Sequence, residues 1–197
     1  IKANMGDAQM LRDRWDLLEF AVGEAKLKGL CLEFGVEKGA SLRAIAGLVP
    51  GAVHGFDSFE GLPEAWGGTF ERKGKFSQHG NLPSVPENVQ LHVGWFDQTL
   101  PAFLAGLEKA GGAPQPVAFL HVDCDIYSST RIVLAGLAER IIPGTVIVFD
   151  EYFNYPNWQR HEYRAFQEFV AARGLRYGYL GFSVKNGHVA VRIEPAR

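Results

Sequence analysis

Two short apolar runs in this chain close in acid. Phe119-Leu120-His121-Val122 leads into Asp123-Cys124-Asp125, and Val146-Ile147-Val148-Phe149 leads into Asp150-Glu151, with a helix-like stretch between them. Neighbouring strands of a sheet lie about 4.8 Å apart, so parallel pairing of the two runs brings up to four carboxylates close together. Crowded carboxylates repel and raise one another's pKa values, and they are relieved by a shared proton or by a hard cation held through oxygen. A divalent cation is the first expectation. If the strands are not neighbours, or if Asp123 and Asp150 merely cap the segments after them, no such site forms.

A second group of residues points to a ligand with a nucleoside. Glu33-Phe34-Gly35-Val36-Glu37-Lys38-Gly39-Ala40-Ser41 puts an acid at a strand end and two glycines ahead of a helix, where backbone can approach a ligand closely. The G-x-x-x-G spacing is not the G-x-G-x-x-G that seats a pyrophosphate, and no G-x-x-x-x-G-K-[ST] loop occurs, which disfavours nicotinamide and nucleoside triphosphates. Glu33 would repel a pyrophosphate but attract an ammonium or sulfonium. Asp57 lies 18 residues beyond Gly39 at the end of the next apolar run, a spacing typical of an acid that binds ribose hydroxyls, with Ser58 beside it. Its structural alternative is a cap on the turn into Glu60-Gly61-Leu62-Pro63. After the third run, Gly94-Trp95-Phe96-Asp97 offers aromatics to cover a flat base or to fill the core.

These residues need a scaffold that sets them at one edge. Leu11, Trp15, Leu18, Val22 and Ala25 recur at helical spacing within Asp7 to Lys28. Strand-like runs come next at Leu30–Phe34, Ala52–Phe56, Val89–Val93, Val117–Asp123 and Thr145–Phe149. Helical stretches are expected at Ala40–Leu48, at Pro101–Lys109 with proline at the helix start, and at Ser129–Arg140 behind a Ser128 cap. Alternating strands and helices imply a parallel α/β sheet. A helix from Asn157 to Arg173 closed by Gly174 then leads to Leu175–Phe182 and His188–Ile193, flanking the hairpin signal Asn186-Gly187. Such a terminal hairpin suits a methyltransferase sheet better than a dinucleotide-binding fold. The segment from Pro63 to Asn88, rich in Gly and Pro and carrying Trp66, Phe70, Phe76 and His79, is expected to be a lid or a solvated insertion.

Composition narrows the setting. The 197 residues, 47% of them hydrophobic, fit a single domain over 1–197, with an N-terminal helical part over 1–29. A formal charge of −2 with scattered Lys and Arg carries no basic stripe, so neither nucleic acid nor a membrane surface is an expected partner. Cys31 and Cys124 sit in apolar runs with no C-x-x-C pairing, and read as reduced core residues. No run is long and apolar enough for a membrane helix and no signal peptide is legible, so a cytoplasmic protein is expected, with a small hydroxylated molecule as its substrate. The aromatic surface of the N-terminal helix and the 63–88 segment allows a homo-oligomer.

Several of these segments, taken in order, carry a family resemblance. They are Glu33 to Gly39; Asp57-Ser58-Phe59-Glu60-Gly61-Leu62-Pro63; Gly94 to Pro101; Val122-Asp123-Cys124-Asp125-Ile126-Tyr127-Ser128-Ser129-Thr130; and Val146 to Tyr152. Over about residues 30 to 170 the chain resembles the macrocin and mycinamicin sugar O-methyltransferases, class I enzymes that use S-adenosylmethionine. The resemblance implies a Rossmann-like, seven-stranded, mostly parallel sheet with an antiparallel last strand, helices on both faces, bound S-adenosylmethionine and Mg2+ or another hard divalent cation. By position, Asp125, Asp150 and Glu151 would hold the metal. Glu33, Gly35 and Gly39 would line the methionine part, Asp57 the ribose, and Asp123 the region of the methionine amine, with Ser58 and Trp95 also at the cofactor. Trp95 stands where many class I enzymes place an acid for the adenine amino group, and Asp97 comes two places later. Glu151 replaces an aspartate frequent in the family.

A diol acceptor on the metal is the expected substrate, with Asp125 or His161 as the base that takes its proton. His161 shares a helical face with Ala165 and Phe169, so a packed role is the alternative, and His121 within a strand reads as structural. Trp66, Phe70, Tyr152, Tyr155 and Trp158 are candidates to stack on a sugar. A catechol-type methyltransferase needs the same geometry. Metal-dependent hydrolysis, or a non-catalytic binding protein, would leave the Glu33-to-Asp57 pattern or the acids without work.

Overall fold

The computed structural model describes residues 5–111, 113–185 and 187–196. Eight strands form one sheet in the order β1-β7-β8-β6-β5-β2-β3-β4. They are β1 (Gln9–Met10), β2 (Leu30–Phe34), β3 (Val53–Asp57), β4 (Val89–Val93), β5 (Val117–Val122), β6 (Val146–Phe149), β7 (Arg176–Ser183) and β8 (His188–Glu194). Helices α1 (Arg14–Glu24), α2 (Ala40–Leu48), α3 (Phe96–Lys109), α4 (Tyr127–Gly136) and α5 (Glu162–Arg173) cover it. All described pairings are parallel except those of β8, which runs antiparallel between β6 and β7.

The central strands are buried along their whole length, as expected where helices cover both faces. Leu17, Leu18, Leu42 and Ile45 of α1 and α2 pack on one face with Phe119 and Val148. Leu100, Val133, Leu134 and Phe166 of α3, α4 and α5 fill the other with Phe34, Leu120 and Phe149. Chain order reverses where β2 lies between β5 and β3, and the crevice beyond the strand ends there is where open α/β sheets place ligands.

The expected Rossmann-like sheet is present with one strand more than seven. Gln9–Met10, expected within a long first helix, instead pairs in parallel with Gly181 and Phe182 of β7. The helix then begins at Arg14 because Asp13 caps it, accepting from the N–H groups of Trp15 and Asp16. Helix α3 starts five residues ahead of Pro101, which sits inside it at the loss of one backbone hydrogen bond. Ser128 is no cap: α4 begins at Tyr127 behind Ile126, and the Ser128 hydroxyl donates to Glu64 at 2.6 Å. The expected helix from Asn157 is interrupted at His161, with a 3-10 turn over Trp158–Arg160 before α5 and Gly174 closing it in the left-handed conformation. Strands β7 and β8 pair as the hairpin signal requires, although Asn186 itself lies outside the described residues. No described helix is long and apolar enough to cross a membrane.

Segment 63–88 has neither helix nor strand. Trp66 packs on Tyr155 and Ile126, and Phe70 is fully exposed. Tyr152 is buried in the core, and Trp158 packs edge-on against Tyr163.

Candidate active site

Parallel pairing of β5 with β6 sets the two acidic strand ends side by side, since Val122 is the register partner of Phe149 and Asp150 donates its N–H to the Val122 carbonyl at 2.9 Å. Asp123 likewise bonds to the Phe34 carbonyl at 2.8 Å, which brings the turn after β2 against the same edge. Together these ends open onto a cavity of about 540 Å³. Its wall includes Gly35, Asp57, Ser58, Trp95, Asp123, Asp125, Asp150 and Glu151, so one space holds the nucleoside-type residues and all four acids.

Asp57 organises the nucleoside side. Its Oδ2 accepts from the N–H groups of Val36 (2.7 Å) and Glu37 (2.8 Å), and its Oδ1 from Phe59 (2.7 Å). Of the roughly four lone-pair sites of a carboxylate, one remains for a ligand hydroxyl. Gly35 must be glycine: its φ is +94°, and a Cβ there would lie 1.6 Å from the Asp123 carbonyl oxygen. Trp95 and Asp97 both line the cavity.

Glu33 and Gly39 are not on the wall. The Glu33 carboxylate is fully buried, accepting from Ser41 Oγ at 3.0 Å and facing His121 Nδ1 at 3.1 Å. It holds Ser41, which does line the cavity. Gly39 caps α2 in the left-handed conformation at φ +73°. His161 is buried and also off the wall, with its Nε2 donating to the Gly67 carbonyl at 2.7 Å. It fastens the 63–88 segment to the start of α5.

The four acids divide by their partners. Asp150 Oδ1 lies 3.1 Å from His188 Nδ1, 3.2 Å from Arg14 Nη2 and 3.7 Å from His121 Nε2. Burial disfavours its charge, but the two histidines and Arg14 hold its carboxyl well below the usual range. Burial likewise opposes a charged His121, and Asp150 and Glu33 more than offset it, lifting the imidazole to about 10. Neither Asp125 nor Glu151 makes an ion pair with a described residue. Burial and repulsion from Asp150 lift Asp125 to about 7 and push Glu151 well up. Burial and Asp150 also raise Asp123, against the pull of His121 and Arg14.

A carboxylate oxygen from each of Asp123, Asp125 and Glu151 lies within 4.8 Å of the others, and Glu151 Oε2 is buried without a hydrogen-bond partner. An orphaned buried carboxylate oxygen among crowded acids is the donor chemistry that a hard cation satisfies. His121, Asp123 and Asp150 form a second cluster of similar span, in which Arg14 already pairs with both carboxylates.

Two residues of this site were not legible in the sequence. Glu162, fully buried at the start of α5, accepts with Oε1 from the N–H groups of Asp125 (3.2 Å) and Cys124 (3.4 Å) and with Oε2 from that of Glu151 (3.0 Å). One carboxylate thus ties together both acidic turns, with Asp125 at a left-handed φ of +65°. Arg14 is the other. Neither belongs to a local motif, and no spacing marks them.

The methyltransferase-domain family model matches residues 32–152. A curated protein of Streptomyces olivaceus, 8-demethyl-8-(2,3-dimethoxy-alpha-L-rhamnosyl)-tetracenomycin-C 4'-O-methyltransferase, is 29% identical over 166 residues, 71% of this chain; the chain spans about 60% of that relative's length. Among solved structures, a calicheamicin methyltransferase superposes with a TM-score of 0.71 at 23% identity, over 90% of this chain and 76% of that one. The O-methyltransferase NovP does so at 0.64 and 22%, over 92% and 80%. At these identities the structural likeness establishes the fold, that of class I methyltransferases.

Proposed function

This chain belongs to the methyltransferase-domain family, and from that premise we propose that it is an S-adenosylmethionine-dependent O-methyltransferase whose acceptor is a hydroxyl, in a vicinal diol, of a sugar or small natural product. One observation carries the reading: the Asp57-organised glycine turn and the acids Asp125 and Glu151, which make no ion pair with a described residue, face the same cavity. A nucleoside on the first and a hydroxylated acceptor at the second would meet within it. The relative from Streptomyces is named for methylating a hydroxyl in a rhamnosyl-bearing compound, which supports a deoxyhexose as the acceptor class.

In this reading Asp57 takes one ribose hydroxyl on its remaining lone pair, and Glu37 on the same wall is available for the other. Trp95 and Asp97 line the adenine end. Asp125 and Glu151 would hold a hard divalent cation such as Mg2+, with Asp150, the expected third ligand, beside them but already facing Arg14, His121 and His188; the chemistry of the ion there would be to lower the pKa of a substrate hydroxyl. S-adenosylmethionine would supply an electrophilic methyl group to the acceptor oxygen and leave as S-adenosylhomocysteine, and Asp125 would take the hydroxyl proton. Orientation of the two reactants supplies most of the rate.

The test is calorimetric titration with S-adenosylmethionine and S-adenosylhomocysteine, with and without Mg2+, on wild type and Asp57→Ala, followed by mass spectrometry of a panel of deoxyhexosides. We expect binding to wild type, a loss of at least tenfold in Asp57→Ala, and a methylated diol. An intact protein that binds neither nucleoside would end the methyltransferase reading.

A further inference from the structure

The two edges of the sheet are built differently. At one end β1 is two residues long, Gln9–Met10, and the charged residues Arg12, Asp13 and Arg14 follow closely. At the other end β4 presents five residues, Val89-Gln90-Leu91-His92-Val93, that pair with β3 and with no other strand among the described residues. Natural edge strands are kept apart by charge, proline, a bulge or short length. β4 has no charged residue and no proline, its register against β3 is unbroken, and Val93 is 53% exposed.

The free side of β4 carries a definite set of hydrogen-bonding groups. The Asn88 carbonyl accepts from the Val53 N–H at 2.9 Å, and Gly94 donates its N–H to the Asp57 carbonyl at 2.9 Å, so the even-numbered residues turn their backbone groups toward β3. Leu91 and Val93 turn theirs outward, where they make no hydrogen bond to another described residue. The strand also reads alike from both ends. Antiparallel pairing of two copies about Leu91 sets Leu91 opposite Leu91, Val89 opposite Val93 and Gln90 opposite His92. Outward-facing residues then meet outward-facing residues and no like charges are opposed, which is the self-complementarity that a two-fold axis requires. The neighbouring helix leaves room for a partner. Phe103 of α3 packs on His54 and His92, and Leu100 lies against Gly136 of α4, so the side of α3 turned past β4 carries Thr99, Ala102 and Gly106, all small and uncharged.

We propose that β4 is a self-association edge, at which two copies of this chain pair their β4 strands antiparallel about Leu91 to form one continuous sheet. The partner is a second copy and not a foreign peptide, because the strand is its own complement in hydrogen-bonding register, in side chains and in charge. Five paired residues by themselves fall short of a standard interface, which buries roughly 800 Å² per partner, so the dimer also needs the small face of α3 and should dissociate in the micromolar range. β4 leads directly into Trp95, Phe96 and Asp97 on the cavity wall, so the pairing would hold that wall from outside in both copies. It involves neither the acids nor the proposed cofactor.

Sedimentation velocity of the wild type over roughly 1–100 µM should show monomer passing to dimer, and hydrogen exchange followed by NMR should show the Leu91 and Val93 amides slowing as concentration rises. Val93→Lys introduces the charge that natural edges carry, and should weaken the dimer by about tenfold or more and return both amides to fast exchange. Gln90→Lys, at another exposed position of β4, should do the same. Met10→Lys at the opposite edge, where the side chain is 69% exposed, should leave the dimer unchanged. A wild type that stays monomeric at about 100 µM would overturn the proposal. So would a dimer that survives both β4 substitutions while the Leu91 and Val93 amides exchange freely at every concentration, since such a dimer uses another face. If neither lysine variant folds, the wild type still decides: exchange at Leu91 and Val93 that does not depend on concentration refutes the pairing.

Discussion

At the residue scale, the site is a problem of keeping like charges close. Four acids meet at two strand ends: Asp150 faces two histidines and an arginine, Asp123 that same arginine, and Asp125 and Glu151 make no ion pair with a described residue. Glu162 then fixes the geometry of the last two, since its carboxylate accepts the N–H groups of both Asp125 and Glu151. Replacing Glu162 by Ala strands those buried donors, each worth about 1–3 kcal/mol. Urea denaturation should show a loss of about 3–5 kcal/mol for Glu162→Ala, and divalent-ion titration of any folded fraction should show weakened affinity. A loss below about 1 kcal/mol would mean that the two turns hold their shape without it. Ser41 shows the same division of labour, because Glu33, an expected cofactor contact, acts through it from inside the core.

At the scale of elements, the strand ends work because their turns fit against each other. Gly35 comes after β2 in a left-handed conformation, with its N–H on the Phe56 carbonyl and its Cα against the Asp123 carbonyl. Substitution by Ala places a methyl 1.6 Å from that oxygen, so β2 and β5 must separate where the cavity begins. Gly35→Ala should destabilise by about 3 kcal/mol or more, read as a lowered denaturation midpoint, and should abolish S-adenosylhomocysteine binding. Gly47, whose Cβ would meet nothing within 4 Å, is the matched control, and Gly47→Ala within α2 should be neutral or stabilising. Spacing alone located α2 and the strands Leu30–Phe34 and Val89–Val93 residue for residue. It misplaced the first helix because an apolar residue at helical spacing, Leu11, lies just after a two-residue strand whose existence depends on β7 being there to pair with it.

For the whole molecule, the cofactor should act as a structural component. A cavity shared by elements from α1 to the turn after β6 is completed by its ligand, and a ligand at 100 times its dissociation constant adds about 2.7 kcal/mol to the stability of the folded state. In a domain of this size that corresponds to roughly 5–10 °C, so differential scanning calorimetry with saturating S-adenosylhomocysteine should show a rise of that order. Adenosine alone, lacking the amino acid portion, should give a smaller one. The alternation of strands and helices, the terminal hairpin and the residue types at each strand end could all be read from the chain, because period and turn chemistry are carried by residues a few places apart. Which acids are neutralised and which are free could not, since that depends on contacts between distant segments. Arg14 meets Asp123 across 109 residues of chain, and Glu162 reaches Asp125 across 37. The same holds for Glu33, which points at His121 instead of the cavity because β2 pairs with β5, and for His161, which grips the Gly67 carbonyl instead of facing a substrate. A carboxylate's chemistry is set by the charges and donors within a few ångströms, and only the folded path of the backbone brings those groups there.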